Sequence, residues 1–211
     1  MKTESLCCCV LVVLVTSSFT TTHATFIDDI LNGIEGLFAH YEEAPFTVVG
    51  TNPDYEDREY PARKWVCTRE IGNDINMGPL FWRLFRYISG NNVGNVSIPM
   101  TVPVATEVKF QEDNSKEYTM CFFIGEPHQS NAPNPANTAV FIQERPATRV
   151  LTRRVGGYMR SESAWMEEAG SLAVILQQHG VSVPLSHVYW VGYDAPLKFW
   201  NRRNEVWFPI N

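Results

Sequence analysis

The sequence predicts an α+β domain in which two duplicated half-domains form a single distorted antiparallel β-barrel or sheet flanked by two α-helices. Three observations predict it. The second half of the chain repeats the first at one constant spacing. Each half reads strand, strand, helix, strand, strand. Each helix carries one apolar face, and two such faces need a shared sheet to cover them.

The repeat is legible in three separated segments. Glu59, Pro61 and Ala62 recur 85 positions later as Glu144, Pro146 and Ala147. Ile98, Pro99, Met100 and Thr101 answer to Val183, Pro184, Leu185 and Ser186, and Cys121, Phe122 and Phe123 answer to Val206, Trp207 and Phe208. One register held through all three marks half a domain, duplicated and fused, rather than a solenoid unit. The pseudo-repeats cover about 41–125 and 138–210, so 41–211 is expected to fold as one domain.

The chain opens with a different kind of sequence. Lys2 precedes an apolar run from Leu6 to Val15, and a Ser/Thr-rich stretch ends in Thr22-His23-Ala24. A basic start, a short apolar run and small residues before a cut describe a signal peptide over 1–24. The run is too short for a membrane span, so a secreted, extracellular protein is expected. Residues 25–40 form a lead-in segment, with Phe26, Ile27, Ile30, Leu31, Ile34, Leu37 and Phe38 at helical spacing and Gly33 and Gly36 weakening it.

Strands of the first half are expected near Phe46–Gly50 or Tyr55–Tyr60, then Ala62–Arg69, Ser97–Val108 and Glu117–Ile124. Those of the second half are expected at Ala139–Glu144, Thr148–Val155, Val188–Tyr193 and Asn204–Phe208. The first helix places Met77, Leu80, Phe81, Leu84 and Ile88 on one face. Asn76 caps its start, Pro79 is tolerated in the first turn and Gly90 ends it. The second helix repeats the pattern with Trp165, Ala169, Leu172 and Leu176, ending at Gly180. Glu126 to Asn137, with several prolines, reads as an exposed connection.

Cys7, Cys8 and Cys9 fall in the predicted signal peptide, leaving Cys67 and Cys121 for the mature chain. A disulfide and a pair of buried small apolar side chains both fit that pair. Asn95-Val96-Ser97 is an acceptor triplet for N-glycosylation, placed in a loop.

The composition, 45% hydrophobic and 19% charged, suits one substantial core. A net charge of −6 argues against general binding to nucleic acid, whose phosphates would be repelled on average. Nucleophile elbows, zinc-hydrolase and phosphate-loop motifs are absent, and His40, His128, His179 and His187 show no metal-ligand spacing. These residues favour a binding protein over an enzyme. The run from Tyr193 to Trp207 mixes Phe199 and Trp200 with Lys198, Arg202 and Arg203. Such a mixture serves a flat anion with carboxylates or, equally, a packed hairpin.

Tyr55-Glu56-Asp57-Arg58-Glu59-Tyr60, Ala62 to Cys67 and Arg86-Tyr87-Ile88-Ser89-Gly90-Asn91-Asn92 carry a family resemblance. So do Ile98-Pro99-Met100-Thr101-Val102-Pro103-Val104, Gly192-Tyr193-Asp194-Ala195-Pro196 and Arg202-Arg203-Asn204-Glu205-Val206-Trp207. In this order they resemble the SOUL haem-binding protein family. The resemblance implies two similar β-and-helix halves, like the effector-binding modules of bacterial multidrug regulators, and a non-enzymatic protein. It also implies reversible binding of haem or another tetrapyrrole in an open apolar groove beside the first helix. On that reading Met77, Leu80 and Leu84 meet the ring, Arg86 and Lys198 pair with the propionates, and Arg83 is a further cation. Two departures stand out. Gly78 replaces a third basic position, and Glu59 stands where some members carry a histidine. They motivate the alternative of an extracellular protein-interaction module that keeps the fold without haem.

Overall fold

A computed structural model describes residues 41–210. The expected signal peptide over 1–24 and the expected lead-in over 25–40 lie outside the described residues. Tyr41–Asp194 and the chain from Phe199 onward form one unit; the turn Ala195–Lys198 groups with a second.

The strands of the first half are β1 (Glu42–Glu43), β2 (Thr47–Thr51), β3 (Glu56–Tyr60), β4 (Arg63–Gly72), β5 (Thr101–Val102), β6 (Val104–Phe110) and β7 (Lys116–Phe123). Those of the second are β8 (Val140–Arg145), β9 (Thr148–Val155), β10 (His187–Gly192) and β11 (Asn204–Ile210). The helices are α1 (Met77–Ile88), the short α2 (Glu126–Gln129) and α3 (Glu162–Gln178). Both segments offered as the first strand are strands, β2 and β3. The expected strand at Ser97–Val108 is broken into β5 and β6 around Pro103, whose missing N–H cannot join a ladder. The connection after Glu126 is less irregular than its prolines suggest. It starts with α2, where Gln129 Oε1 accepts from the Lys64 amide at 2.8 Å.

Nine strands form one curled, antiparallel half-barrel in the order β2-β3-β9-β11-β10-β6-β7-β4-β8, while β1 and β5 pair separately in parallel. Apart from β2, this order is symmetric about the β10–β6 seam. The outer strands are exchanged between the halves: β3 pairs with β9 and β8 with β4. Glu59 faces Arg149 in one pair and Lys64 faces Glu144 in the other, the same contact made twice by the repeat. Neither half can complete its own sheet, which is why the two fold as a unit.

The 85-residue spacing does not survive into the last strand. Cys121 and Phe123 point to one face of the sheet, whereas Val206 and Phe208 point to the other. Side chains alternate along a strand, so a slip of one residue reverses every side chain. The sequence match at Cys121-Phe122-Phe123 is thus a match of residue type and not of face.

The helices cover the first face. Leu80, Leu84 and Ile88 of α1 and Ala169, Leu172 and Leu176 of α3 share a core with Val66, Tyr118, Phe122, Trp190, Val206 and Phe208. Asn76 Oδ1 caps α1 by accepting from the Gly78 amide at 2.9 Å. Gly90, at φ 105°, lets the chain turn away after it. Ser161 caps α3 from its side-chain oxygen, and Lys116 on β7 holds Glu162 in its first turn at 2.6 Å. The opposite, concave face has its own cluster of Tyr60, Trp65, Phe123, Val191, Tyr193 and Trp207. Cys67 and Cys121 face each other across β4 and β7 in that layer and are joined as a disulfide, with 4.1 Å between their Cα atoms.

Candidate functional site

The helical period that buries one side of α1 also decides what its other side can do. Met77, Phe81 and Phe85 recur every four residues and form a half-buried ridge along the helix. Phe81 and Phe85 stack with ring centroids 5.9 Å apart, and Trp82 meets Phe85 edge-on at 5.4 Å. Trp82 remains 55% exposed. Arg86, one turn after Trp82, is exposed, and its guanidinium makes no ion pair or hydrogen bond among the described residues. From Met77 to Arg86 the ridge runs about 13 Å at the rise of an α-helix. A greasy strip of that length, ending in an unpaired cation, suits a flat amphipathic anion.

The expected site residues separate on this geometry. Leu80 and Leu84 are 0% exposed and face the sheet, so as they stand they hold α1 in place and present no surface to a ligand. The reason lies in the helix itself: an apolar stripe wide enough to anchor it to the sheet is used up in doing so. Arg83 pairs with Glu70 on β4 at 3.2 Å, leaving its charge committed. Met77 is partly buried at the start of the ridge and also borders a groove of about 370 Å³ between the starts of α1 and α3. Met159, Arg160, Trp165 and Trp190 complete that groove, with the two tryptophan rings stacked at 5.9 Å. Lys198 falls in the separate turn, where its amide donates to Ala195 O at 3.1 Å. Asn95 is exposed, at φ 54°, in the loop after α1.

Sequence reasoning missed Trp82 and Phe85. A signal was available, because Trp82, Phe85 and Arg86 stand at i, i+3 and i+4, a second stripe outside the one at Met77, Leu80, Leu84 and Ile88.

The concave face is dominated by charge held in place. Glu205 is 0% exposed and accepts from Arg58 Nη1 at 2.8 Å, Arg203 Nε at 2.9 Å, Trp207 Nε1 at 2.8 Å and the Tyr193 hydroxyl at 2.8 Å. Burial by itself would raise the Glu205 carboxyl, but Arg58, Arg203 and the donated bonds outweigh it and keep the group below the usual carboxylate range. Burial likewise opposes ionisation of Glu107, yet His187, Lys109 and Arg145 bring it down to about 2. Among the described residues no cluster of His, Cys, Asp and Glu is placed to hold a metal ion, and no helix is long and apolar enough to cross a membrane. Glu59, at the position where a histidine was considered, is exposed on β3.

Residues 41–209 match the SOUL heme-binding protein family. The chain is 33% identical over 162 residues to heme-binding protein 2 of Homo sapiens, covering 72% of this chain and 76% of that protein. It is 30% identical over 180 residues to heme-binding protein 1 of Sus scrofa, covering 81% and 94%. Among solved structures, the EcmrR C-terminal domain superposes with a TM-score of 0.52 at 14% identity, over 74% of this chain and 98% of that one. An uncharacterized conserved protein from Listeria innocua does so at 0.50 and 8% identity, over 77% and 94%. These two likenesses concern the fold, the curled half-barrel common to effector-binding-like domains. With the family match spanning nearly all of the described residues, this chain belongs to the SOUL heme-binding protein family.

Proposed function

We propose that the protein is a secreted, non-enzymatic carrier or sensor of haem or a related tetrapyrrole. The ring lies on the Met77–Phe81–Phe85 ridge beside Trp82, and Arg86 pairs with a propionate. The observation that carries this reading is the exposed Trp82 next to a guanidinium without a partner. The names of the heme-binding protein relatives support the ligand class. Lys198 lies in the separate turn, and Lys198→Ala in the haem titration measures its share. Extracellular residence rests on the signal-like segment at 1–24 and on the Cys67–Cys121 disulfide, a bond that persists in oxidising compartments.

Haem titration followed at the Soret band tests the site. The wild-type chain is expected to saturate. Arg86→Ala is expected to weaken binding roughly fivefold, the loss of about 1 kcal/mol from a solvent-screened pair. Trp82→Ala with Phe85→Ala removes the apolar platform and is expected to cost tenfold or more, on the order of 1.4 kcal/mol. Leu84→Ala acts elsewhere: it is expected to lower stability by about 2–5 kcal/mol. Haem binding that ignores Trp82, Phe85 and Arg86 overturns the site. A chain that shows no saturable Soret change, and recovers a stoichiometric partner from secreted fluid, is instead the interaction module.

Secretion has its own test. Expression in a eukaryotic secretory host is expected to give protein in the medium lacking residues 1–24, with a mobility shift on glycosidase treatment that Asn95→Gln abolishes. Retention of the protein inside the cell overturns the extracellular reading.

A further inference from the structure

A second cavity lies on the concave face, away from α1. The repeat builds it twice over. Tyr60 and Pro61 at the β3–β4 turn line one side, and Arg145 and Pro146 at the β8–β9 turn line the other. Tyr60 and Arg145 are 85 positions apart, as are Pro61 and Pro146, so the cavity straddles the internal symmetry while its two sides differ chemically. One side is aromatic, with Tyr60 tilted against Trp207 at 4.8 Å between ring centroids. The other side carries a cation. Ala44 and Pro45 close the rim.

Of the sheet's arginines, Arg145 and the exposed Arg154 hold no carboxylate among the described residues, and only Arg145 of these two is withdrawn from solvent. Arg58, Arg63, Arg69, Arg149, Arg153 and Arg203 each hold a carboxylate within 4.0 Å. Arg145 is only partly exposed to solvent and holds none. Its guanidinium lies over Trp65 at 4.7 Å and near Tyr189 at 5.4 Å, and Nη2 sits 2.9 Å from Cys121 Sγ. The acid whose charge reaches it, Glu107, is already engaged by His187 at 2.6 Å, Lys109 at 3.3 Å and the Tyr189 hydroxyl at 3.0 Å. Withdrawing a guanidinium from water without a carboxylate is costly unless a partner arrives. Burial indeed pulls its pKa down.

We propose that this cavity is a binding site for a small monocarboxylate, distinct from the tetrapyrrole ridge. The carboxylate pairs with the open N–H groups of Arg145, and the apolar body slots among Tyr60, Trp65 and Trp207. The volume, about 40 Å³, limits the ligand to an acid of a few heavy atoms and excludes a tetrapyrrole. Aromatic walls around one cation favour a short-chain acid over a more hydrophilic anion such as phosphate.

Acetate is the probe, and acetamide, its uncharged counterpart of the same shape, is the control. Calorimetric titration of the full chain is expected to show saturable binding of one acetate and at least tenfold weaker binding of acetamide. Arg145→Gln is expected to erase the preference, and Arg86→Ala to leave it intact. If Arg145→Gln does not fold, the comparison of the two probes on the wild-type chain decides. Equal binding of both probes, or no saturable binding of acetate, overturns the proposal. So does a preference that survives in a folded Arg145→Gln.

Discussion

Glu205→Ala is expected to lower the free energy of unfolding by about 3–5 kcal/mol, the cost of removing one partner from a buried ion pair. Glu205 joins three strands. Arg58 comes from β3, Thr152 approaches at 3.4 Å from β9, and Arg203 precedes β11. Removing the carboxylate leaves Arg58, 6% exposed, with Glu56 at 2.7 Å as its remaining acid, and Arg203 with Glu43 at 2.9 Å. The Trp207 and Tyr193 donors lose their acceptor altogether, and each orphaned buried donor adds its own penalty. Urea denaturation reads the effect as a lower midpoint. Glu205→Gln keeps an acceptor oxygen and is expected to cost less; equal stability of Glu205→Ala and the wild-type chain would falsify the role given to this carboxylate.

The same group sets a pH dependence. The Glu205 carboxyl titrates lower in the folded chain than in the unfolded one. Its contribution is therefore complete above the unfolded carboxylate pKa, about 4.3, and is lost as pH falls through the folded value. Glu107, at about 2, acts in the same sense. The wild-type midpoint is expected to fall with acidification below roughly pH 4.3, and the gap to Glu205→Gln is expected to narrow. A gap that widens in acid contradicts the assignment.

Loss of the Cys67–Cys121 bond has a comparable expected size. The two residues are 54 positions apart, and closing a loop of that length in the unfolded chain is worth about 4 kcal/mol by chain entropy. Both side chains are fully buried between β4 and β7; alanine adds no polar group there, and Arg145 Nη2 loses its 2.9 Å contact with Cys121 Sγ. Cys67→Ala with Cys121→Ala is expected to lower Tm by about 8–16 °C for a chain of this size. Calorimetry of the oxidised protein against the double variant measures it. Identical melting of the two would mean that the bond constrains nothing the sheet does not already hold.

Local features were readable because they depend on neighbours in sequence. Asn76 and Gly90 bracket α1 as capping chemistry requires, and Ala169, Leu172 and Leu176 of α3 are buried as their spacing demands. The candidate site was half legible. Arg86 was reached only through the family resemblance, and the apolar partners were sought on the stripe that the sheet consumes. Trp82 and Phe85 would have followed from asking which side of α1 stays wet once Leu80 and Leu84 are inside. The reversal of faces in β11 was not legible, since residue type says nothing about a one-residue slip in pairing.

The amino-acid sequence alone determined the duplication, the α+β class and the family, because these are written in residue identity and period. Which strands are exchanged, where Glu205 finds two arginines, and that Arg145 is withdrawn from solvent with no carboxylate were decided only by tertiary structure. Arg58 and Glu205 are 147 positions apart, and no short-range preference joins them. Their meeting follows from β3 crossing to β9 beside β11, a long-range arrangement that burial and hydrogen-bond satisfaction select together.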